Sequence, residues 1–266
     1  MDDRVLGHLQ VLFDQVFQVD KLWPQFRLLL NDLTQMAGTI PPDSVVVSLE
    51  RSLLYGGCSL IAPLFSHVEF IAIDCSPRSA DDRGAYNAHL VDDPRFLSVP
   101  VNRRATLLET GVADGEADLV IVPNLVHHVC DQDRLFRELS RIVKPGGRVY
   151  VFEALVREIH QAPDDFLRYT PYGLEAAFRR VGLQSEPVRT EGGPFQVITY
   201  CWIQALQYLK GEDKERYTDW FFRQHFQELL QLDSINTTNL EKQHSSFPMS
   251  FSIIARKPSV PAVQRS

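Results

Sequence analysis

The sequence predicts an α/β fold: a mostly parallel, seven-stranded sheet with helices on both faces. Three observations carry that expectation. Short β-branched runs recur along the chain, each an unbroken apolar stretch of the kind found in strands buried on both faces. Segments with apolar residues at helical spacing lie between them. The two kinds alternate, which is the order that builds a parallel sheet with crossover helices. At 266 residues, 44% hydrophobic and 23% charged, the chain can bury one large core.

The elements follow in order. Residues 1–40 read as a helical cap. Val5, Leu9, Leu12, Phe13 and Phe17, then Leu28, Leu29 and Leu33, recur at helical spacing, with a break near Pro24. Pro41 and Pro42 end it, and a domain over 41–258 begins. Val45 to Leu49 is a first strand. Gly56 and Gly57 mark a loop, and a short helix is expected from Ser59 to Phe65. Val68 to Ile73 is a second strand ending at Asp74, and Phe96 to Val99 a weaker third. Asp118 to Val122 is the fourth. Leu135, Leu139, Ile142 and Val143 share a helical face over 131–143, and Lys144-Pro145-Gly146-Gly147 stops that helix. Val149 to Phe152 is the fifth strand. A helix over 171–182 has Pro171 in its first turn. An aromatic-rich helical stretch at 196–232 belongs to an insert spanning about 196–245. Phe251 to Ala255 is the last strand, and a frayed tail is expected over 259–266.

Composition removes several function classes. A net charge of −7 argues against nucleic acid or an anionic membrane as partner. No apolar run is long enough to span a bilayer, and no basic segment followed by an apolar stretch marks a signal peptide. Cys58, Cys75, Cys130 and Cys201 are not spaced as metal ligands and read as buried free thiols in a reducing cytoplasm. Nothing resembles a zinc site, a P-loop or a Ser/His/Asp arrangement, so no metal is expected.

Ligands of open α/β sheets bind beyond the carboxyl ends of the strands. After the first strand stand Glu50, Ser52, Gly56 and Gly57, where glycines let backbone N–H groups approach a ligand. Asp74 follows Gly57 by 17 positions, a spacing suited to a carboxylate holding a ribose diol; the alternative is a loop-end aspartate facing water. Asn124 ends the fourth strand. His127 and His128 offer a general base, or else one packs on the sheet and the other caps a helix. Glu153, at the end of the fifth strand, could orient a substrate, accept a proton or be a satisfied loop carboxylate. His160, Arg168 and Tyr169 lie in the next loop, which often covers substrate. Arg103 and Arg104 could bind an anion or form a solvated pair.

The stretch Ala117-Asp118-Leu119-Val120-Ile121-Val122-Pro123-Asn124-Leu125-Val126-His127-His128-Val129, with Arg134 to Val149 and its Val143-Lys144-Pro145-Gly146-Gly147, resembles the class I S-adenosylmethionine (SAM)-dependent methyltransferase family. Thr170-Pro171, Val181-Gly182-Leu183 and Ser252 to Pro258 extend the likeness, which covers roughly 40–258. The resemblance implies a Rossmann-like methyltransferase fold. It also implies SAM as cofactor, S-adenosylhomocysteine as product, and methyl transfer to an oxygen or nitrogen of a small molecule. By position it assigns cofactor contacts to Glu50, Ser52, Gly56, Gly57, Asp74, Cys75, Asn102 and Asn124, and catalysis to His127, His128 and Glu153.

Ser52 and Leu54 stand where the family's first two loop glycines belong, and Asn102 is the nearest counterpart of an adenine-binding Asp. These departures keep a second reading open, a methyltransferase-like binding subunit or an enzyme of other chemistry. A nicotinamide-dependent dehydrogenase shares the Asp74 logic but lacks Gly-x-Gly-x-x-Gly. The aromatic residues at 202–226 read as the insert's core, and that face could also wall the pocket or form a homodimer interface.

Overall fold

A computed structural model of the chain describes residues 2–20, 23–76, 92–237 and 247–259. Beyond Ser259, the tail lies outside the described residues. Strands β1 (Val45–Glu50), β3 (Glu69–Asp74), β5 (Arg103–Arg104), β6 (Ala117–Pro123), β7 (Val143–Ala154), β8 (Gln184–Ser185) and β10 (Ser250–Arg256) form one sheet in the order β5-β3-β1-β6-β7-β10-β8. β9 (Arg189–Glu191) adds to β10 beside β8. All pairs from β5 to β7 are parallel, and β10 is antiparallel to its neighbours. Strand order reverses between β1 and β6, so a crevice opens at their carboxyl ends.

Alternation along the strands builds two cores. Val47, Leu49, Val120, Val122, Val149 and Val151 point to one face, and Val46, Leu119, Ile121, Tyr150 and Phe152 to the other. On the first face lies α3 (Gln132–Ile142), with Leu135, Phe136, Leu139 and Ile142 buried. Each such side chain contributes about 1.5–3 kcal/mol. The Asp131 carboxylate caps the helix by accepting from Arg134 N–H. α4 (Pro171–Arg180) packs beside it, capped by Thr170.

The second face is covered by the N-terminal cap: α1 (Asp3–Val11) running into a π turn over Leu12–Val16, then α2 (Phe26–Thr39). Two buried polar groups fasten it. Asp32 of α2 accepts from Tyr150 Oη (3.0 Å) and Ser252 Oγ (2.6 Å), and Arg189 lies 2.8 Å away. His8 bridges Leu60 C=O (2.9 Å), to which its Nε2–H donates, and Leu97 N–H, which donates to Nδ1 (3.1 Å). The insert is three helices, α5 (Pro194–Leu206), α6 (Gly211–Gln224) and α7 (Phe226–Thr237), around Ile203, Phe221 and Phe226.

Two expected elements are corrected. Residues 96–99 are not the sheet's third strand. Phe96 is drawn into the cap's core, and Val99 pairs in β4 (Val99–Pro100) with β2 (Cys58–Ser59), a separate two-stranded ribbon. The edge position goes to β5, whose two arginines are exposed, as suits an edge strand. The short helix expected from Ser59 is a single 3₁₀ turn over Ala62–Phe65, because Ser59 is already paired in β2.

Candidate active site

Beyond the ends of β1 and β6 lies a cavity of about 450 Å³, within the range of small-molecule pockets. Its apolar wall comes from the cap, with Leu12, Val16, Trp23, Phe26, Leu29 and Leu33. Its polar rim comes from the sheet and following loops: Glu50, Arg51, Tyr55, Asn124, Arg157, Glu158 and His160. Leu54, the branched residue in a glycine position of the first loop, is part of the wall.

The first loop is built tightly. Ser52 to Tyr55 form a 3₁₀ turn closed by Gly56 (φ 65°) and Gly57 (φ 79°), conformations that favour glycine. A Cβ on Gly57 would meet nothing within 4 Å. Glu50 is buried and accepts from Ser59 Oγ (2.6 Å) and Leu60 N–H (2.9 Å). Burial pushes its carboxyl above the usual range, and these bonds pull it back. Asp74 is only 2% exposed. It accepts from Ser52 N–H (2.9 Å) and Ser76 Oγ (2.5 Å), with Arg104 Nε 3.5 Å from its other oxygen. It therefore braces the first loop from behind and does not line the cavity. Cys75 is likewise buried outside the cavity lining, its N–H bonded to Glu50 C=O (2.7 Å), and burial raises its thiol pKa. Asn102 extends the β3 edge: its Oδ1 accepts from Ala72 N–H at 2.7 Å. Ser52 Oγ is buried with no hydrogen-bond partner among the described residues.

The β6–β7 side is organised differently. Asn124 sits at φ 61° on the cavity wall, with its Oδ1 3.3 Å from Ala154 N–H. His127, 1% exposed, places Nδ1 2.7 Å from Glu153 Oε2, while Glu153 Oε1 accepts from Val126 N–H at 3.0 Å. His127 Nε2 lies 3.3 Å from His160 Nε2. His128 pairs Nδ1 with Asp164 C=O, and its Nε2 accepts from Arg51 Nη1 at 3.1 Å. Burial first, then the cations Arg168, Arg157 and Arg51, hold His127 far below the ordinary imidazole range. His128 and His160 are lowered too, again by burial first. All three rings are therefore neutral. Burial pushes the Glu153 carboxyl up to about 8.

Of the sequence-predicted residues, the fold brings Glu50 and Asn124 to the cavity wall and packs His127, His128 and Glu153 into one cluster that reaches the cavity through His160. Ser52, Gly56, Gly57, Asp74, Cys75 and Asn102 stand outside the lining. Arg168 ties Asp165 from outside, and Tyr169 Oη donates to Gln132. Sequence reasoning did not single out Arg51, Trp23, Arg157 or Glu158. Arg157, with an 11% exposed side chain, stacks on Trp23 (4.7 Å to the ring centre) and lies 3.8 Å from Glu158. Its Nε has no hydrogen-bond partner among the described residues. The only signal for Arg157 and Glu158 was a charged pair just after a strand end.

Residues 55–151 match the family model described as a methyltransferase domain. The match contains β6 and most of β7. Over that stretch the chain is similar to a methyltransferase domain. A SAM-dependent methyltransferase from Archaeoglobus fulgidus superposes with a TM-score of 0.51 at 14% identity, covering 93% of this chain and 99% of that one. Phosphoethanolamine N-methyltransferase 2 of Haemonchus contortus superposes at 0.52 and 15% identity, covering 96% of this chain but 57% of that one. At such identities these methyltransferases share the fold with this chain. A comparison with curated proteins finds no match. No helix among the described residues is long and apolar enough to cross a membrane.

Proposed function

We propose that this chain is a SAM-dependent methyltransferase whose acceptor is an oxygen or nitrogen of a small molecule with an apolar body and an anionic group. The observation that carries the reading is the cavity, which joins the first loop, Asn124 and an underused buried cation, Arg157, at the carboxyl edge of a methyltransferase-type sheet. When bound, SAM supplies an electrophilic methyl group on a sulfonium.

The residues fit that cofactor at its amino-acid end. Arg157 lines the cavity, and its Nε makes no hydrogen bond among the described residues, with Glu158 3.8 Å away, so it can take up an anion. Glu50, Arg51, Tyr55, Asn124 and Arg157 would hold it, with Ser52, Gly56 and Gly57 shaping the loop. Asp74, Cys75 and Asn102 act as positioning residues behind that loop, since their polar groups are spent on the chain itself.

The acceptor lies against Trp23 and Phe26 of the cap, which exclude water from the cavity. Methyl transfer requires alignment above all, so holding both partners in one dry cavity supplies most of the catalysis. His127, His128 and Glu153 fix the wall behind His160 and thereby orient the acceptor.

Domain limits of 1–40 for the cap and 41–258 for the methyltransferase domain belong to the same reading. Cys58 and Cys75 are buried as expected, whereas Cys130 and Cys201 are exposed; four free thiols still support a reducing cytoplasmic setting. Tyr208, Trp220 and Phe222, exposed on the insert, support the expected pairing of two copies there, which sedimentation velocity would read.

Calorimetric titration with SAM and S-adenosylhomocysteine, with NAD as control, tests the function. Micromolar binding of a SAM-type ligand and none of NAD is the expected result. No binding up to millimolar ligand by folded protein would overturn it and favour a methyltransferase-like protein that has lost this chemistry.

A further inference from the structure

The three histidines at the cavity's edge bring their ring nitrogens together at one point. One ring nitrogen of each of His127, His128 and His160 lies within 4.8 Å of the others. His127 Nδ1 faces Glu153 Oε2 at 2.7 Å, and His160 Nδ1 faces Asp165 Oδ2 at 3.1 Å. His128 Nδ1 faces the Asp164 carbonyl. A ring whose Nδ1–H donates to an oxygen presents a bare lone pair at Nε2. With Glu153 ionised, His127 and His160 point two Nε2 lone pairs at each other across 3.3 Å, a pair of donors that a cation between them would engage; with Glu153 protonated, His127 Nε2–H donates to His160 instead.

We propose that His127, His128 and His160 form a binding site for a divalent cation of the zinc class. Two nitrogens each 2.0–2.1 Å from a tetrahedral zinc stand about 3.3 Å apart, which is the separation observed for His127 and His160. Three neutral imidazoles suit zinc, cobalt or nickel rather than magnesium or calcium. The oxygens behind the rings, Glu153, Asp165 and the Asp164 carbonyl, supply the outer support that fixes the rings of metal-binding histidines. Arg51 donates to His128 Nε2, so cation entry exchanges that hydrogen bond for a coordinate bond. His160 lines the cavity, so the fourth position opens toward the acceptor. A cation there would take an oxygen or nitrogen donor of the acceptor molecule as its fourth ligand. No step of methyl transfer is assigned to it.

The ligand set escaped sequence reasoning because His160 stands 33 residues from His127, with a strand end and a loop between them. No short metal-binding spacing exists to be read.

The test uses the full chain without SAM. Co²⁺ is added while visible absorption is followed, and Zn²⁺ retained after desalting is counted by plasma mass spectrometry. One cation per chain, with the strong ligand-field bands of a tetrahedral cobalt site, is expected. His160→Ala should weaken binding more than about 100-fold, and Glu153→Gln by about 10–100-fold, as loss of an outer-shell partner does. His160→Gln, which keeps a polar side chain of similar reach, should show the same loss as His160→Ala if the latter does not fold. Folded protein that retains no Zn²⁺ at millimolar concentration, or binding untouched by either His160 variant, would overturn the site. Because SAM is absent, failure here leaves the calorimetric test of the methyltransferase reading intact.

Discussion

The two sides of the crevice use their polar groups in opposite ways. On the β1–β3 side, the chain satisfies its own carboxylates: Glu50 is taken by Ser59 and Leu60, and Asp74 by Ser52 and Ser76. On the β6–β7 side, polar groups remain directed at the cavity: the His160 ring and Arg157, whose Nε makes no hydrogen bond among the described residues and lies 3.8 Å from Glu158. The first side is a braced frame and the second a receptive surface. A buried group already bonded within the chain must break a bond to meet a ligand, whereas an unpaired one gains a bond. Charged parts of a ligand should therefore be gripped mainly on the β6–β7 side.

The strongest break of this contrast is Asp74→Ala. Leaving Ser52 N–H unsatisfied should cost about 1–3 kcal/mol of stability in urea unfolding of the ligand-free chain, with SAM affinity moved less than tenfold. Collapse of affinity with unchanged stability would return Asp74 to the ribose. Arg157→Gln probes the other side: a hydrogen bond to a charged group carries about 1.5–3 kcal/mol, so S-adenosylhomocysteine should bind about 10–100-fold more weakly at little cost to the fold. An unchanged affinity would remove Arg157 from the site.

Acid offers a subtler probe of the braced side. Burial lowers the pKa of His8, whose ring is wedged between Leu60 and Leu97, so the folded state holds it neutral. Its unfolded form protonates near pH 6.5. Stability is therefore full above that pH and falls below it, toward the depressed folded value, by at most about 1.4 kcal/mol per pH unit. Urea midpoints across pH 7.5 to 5 should fall, with His127, His128 and His160 adding in the same direction, and His8→Gln should reduce the slope by the share of one histidine. The smallest effect is expected from Leu54→Gly: trimming the cavity wall should tighten SAM binding by a few fold, and weaker binding would mean that Leu54 contacts the ligand productively.

What could be read from the sequence follows the same division. Strands β1, β3, β6 and β7 and helix α3 were legible because burial on both sheet faces forces apolar runs and a strict amphipathic period. β5 was not, since an exposed two-residue edge strand of arginines carries no apolar signature, while the more apolar 96–99 serves the cap. At the site, Glu50, Asn124 and the His127–Glu153 neighbourhood were legible from strand ends. The engagement of Asp74 by Ser52 and the meeting of His160 with His127 depend on contacts between distant segments, and local pattern does not encode them.

The most direct test compares S-adenosylhomocysteine with methylthioadenosine, which keeps adenine and ribose but lacks the amino-acid end. If the β6–β7 side provides the grip, calorimetry should find S-adenosylhomocysteine bound at least about tenfold more tightly, the difference one charge-assisted hydrogen bond makes. Equal affinities would place the grip on the adenosine side and contradict the account.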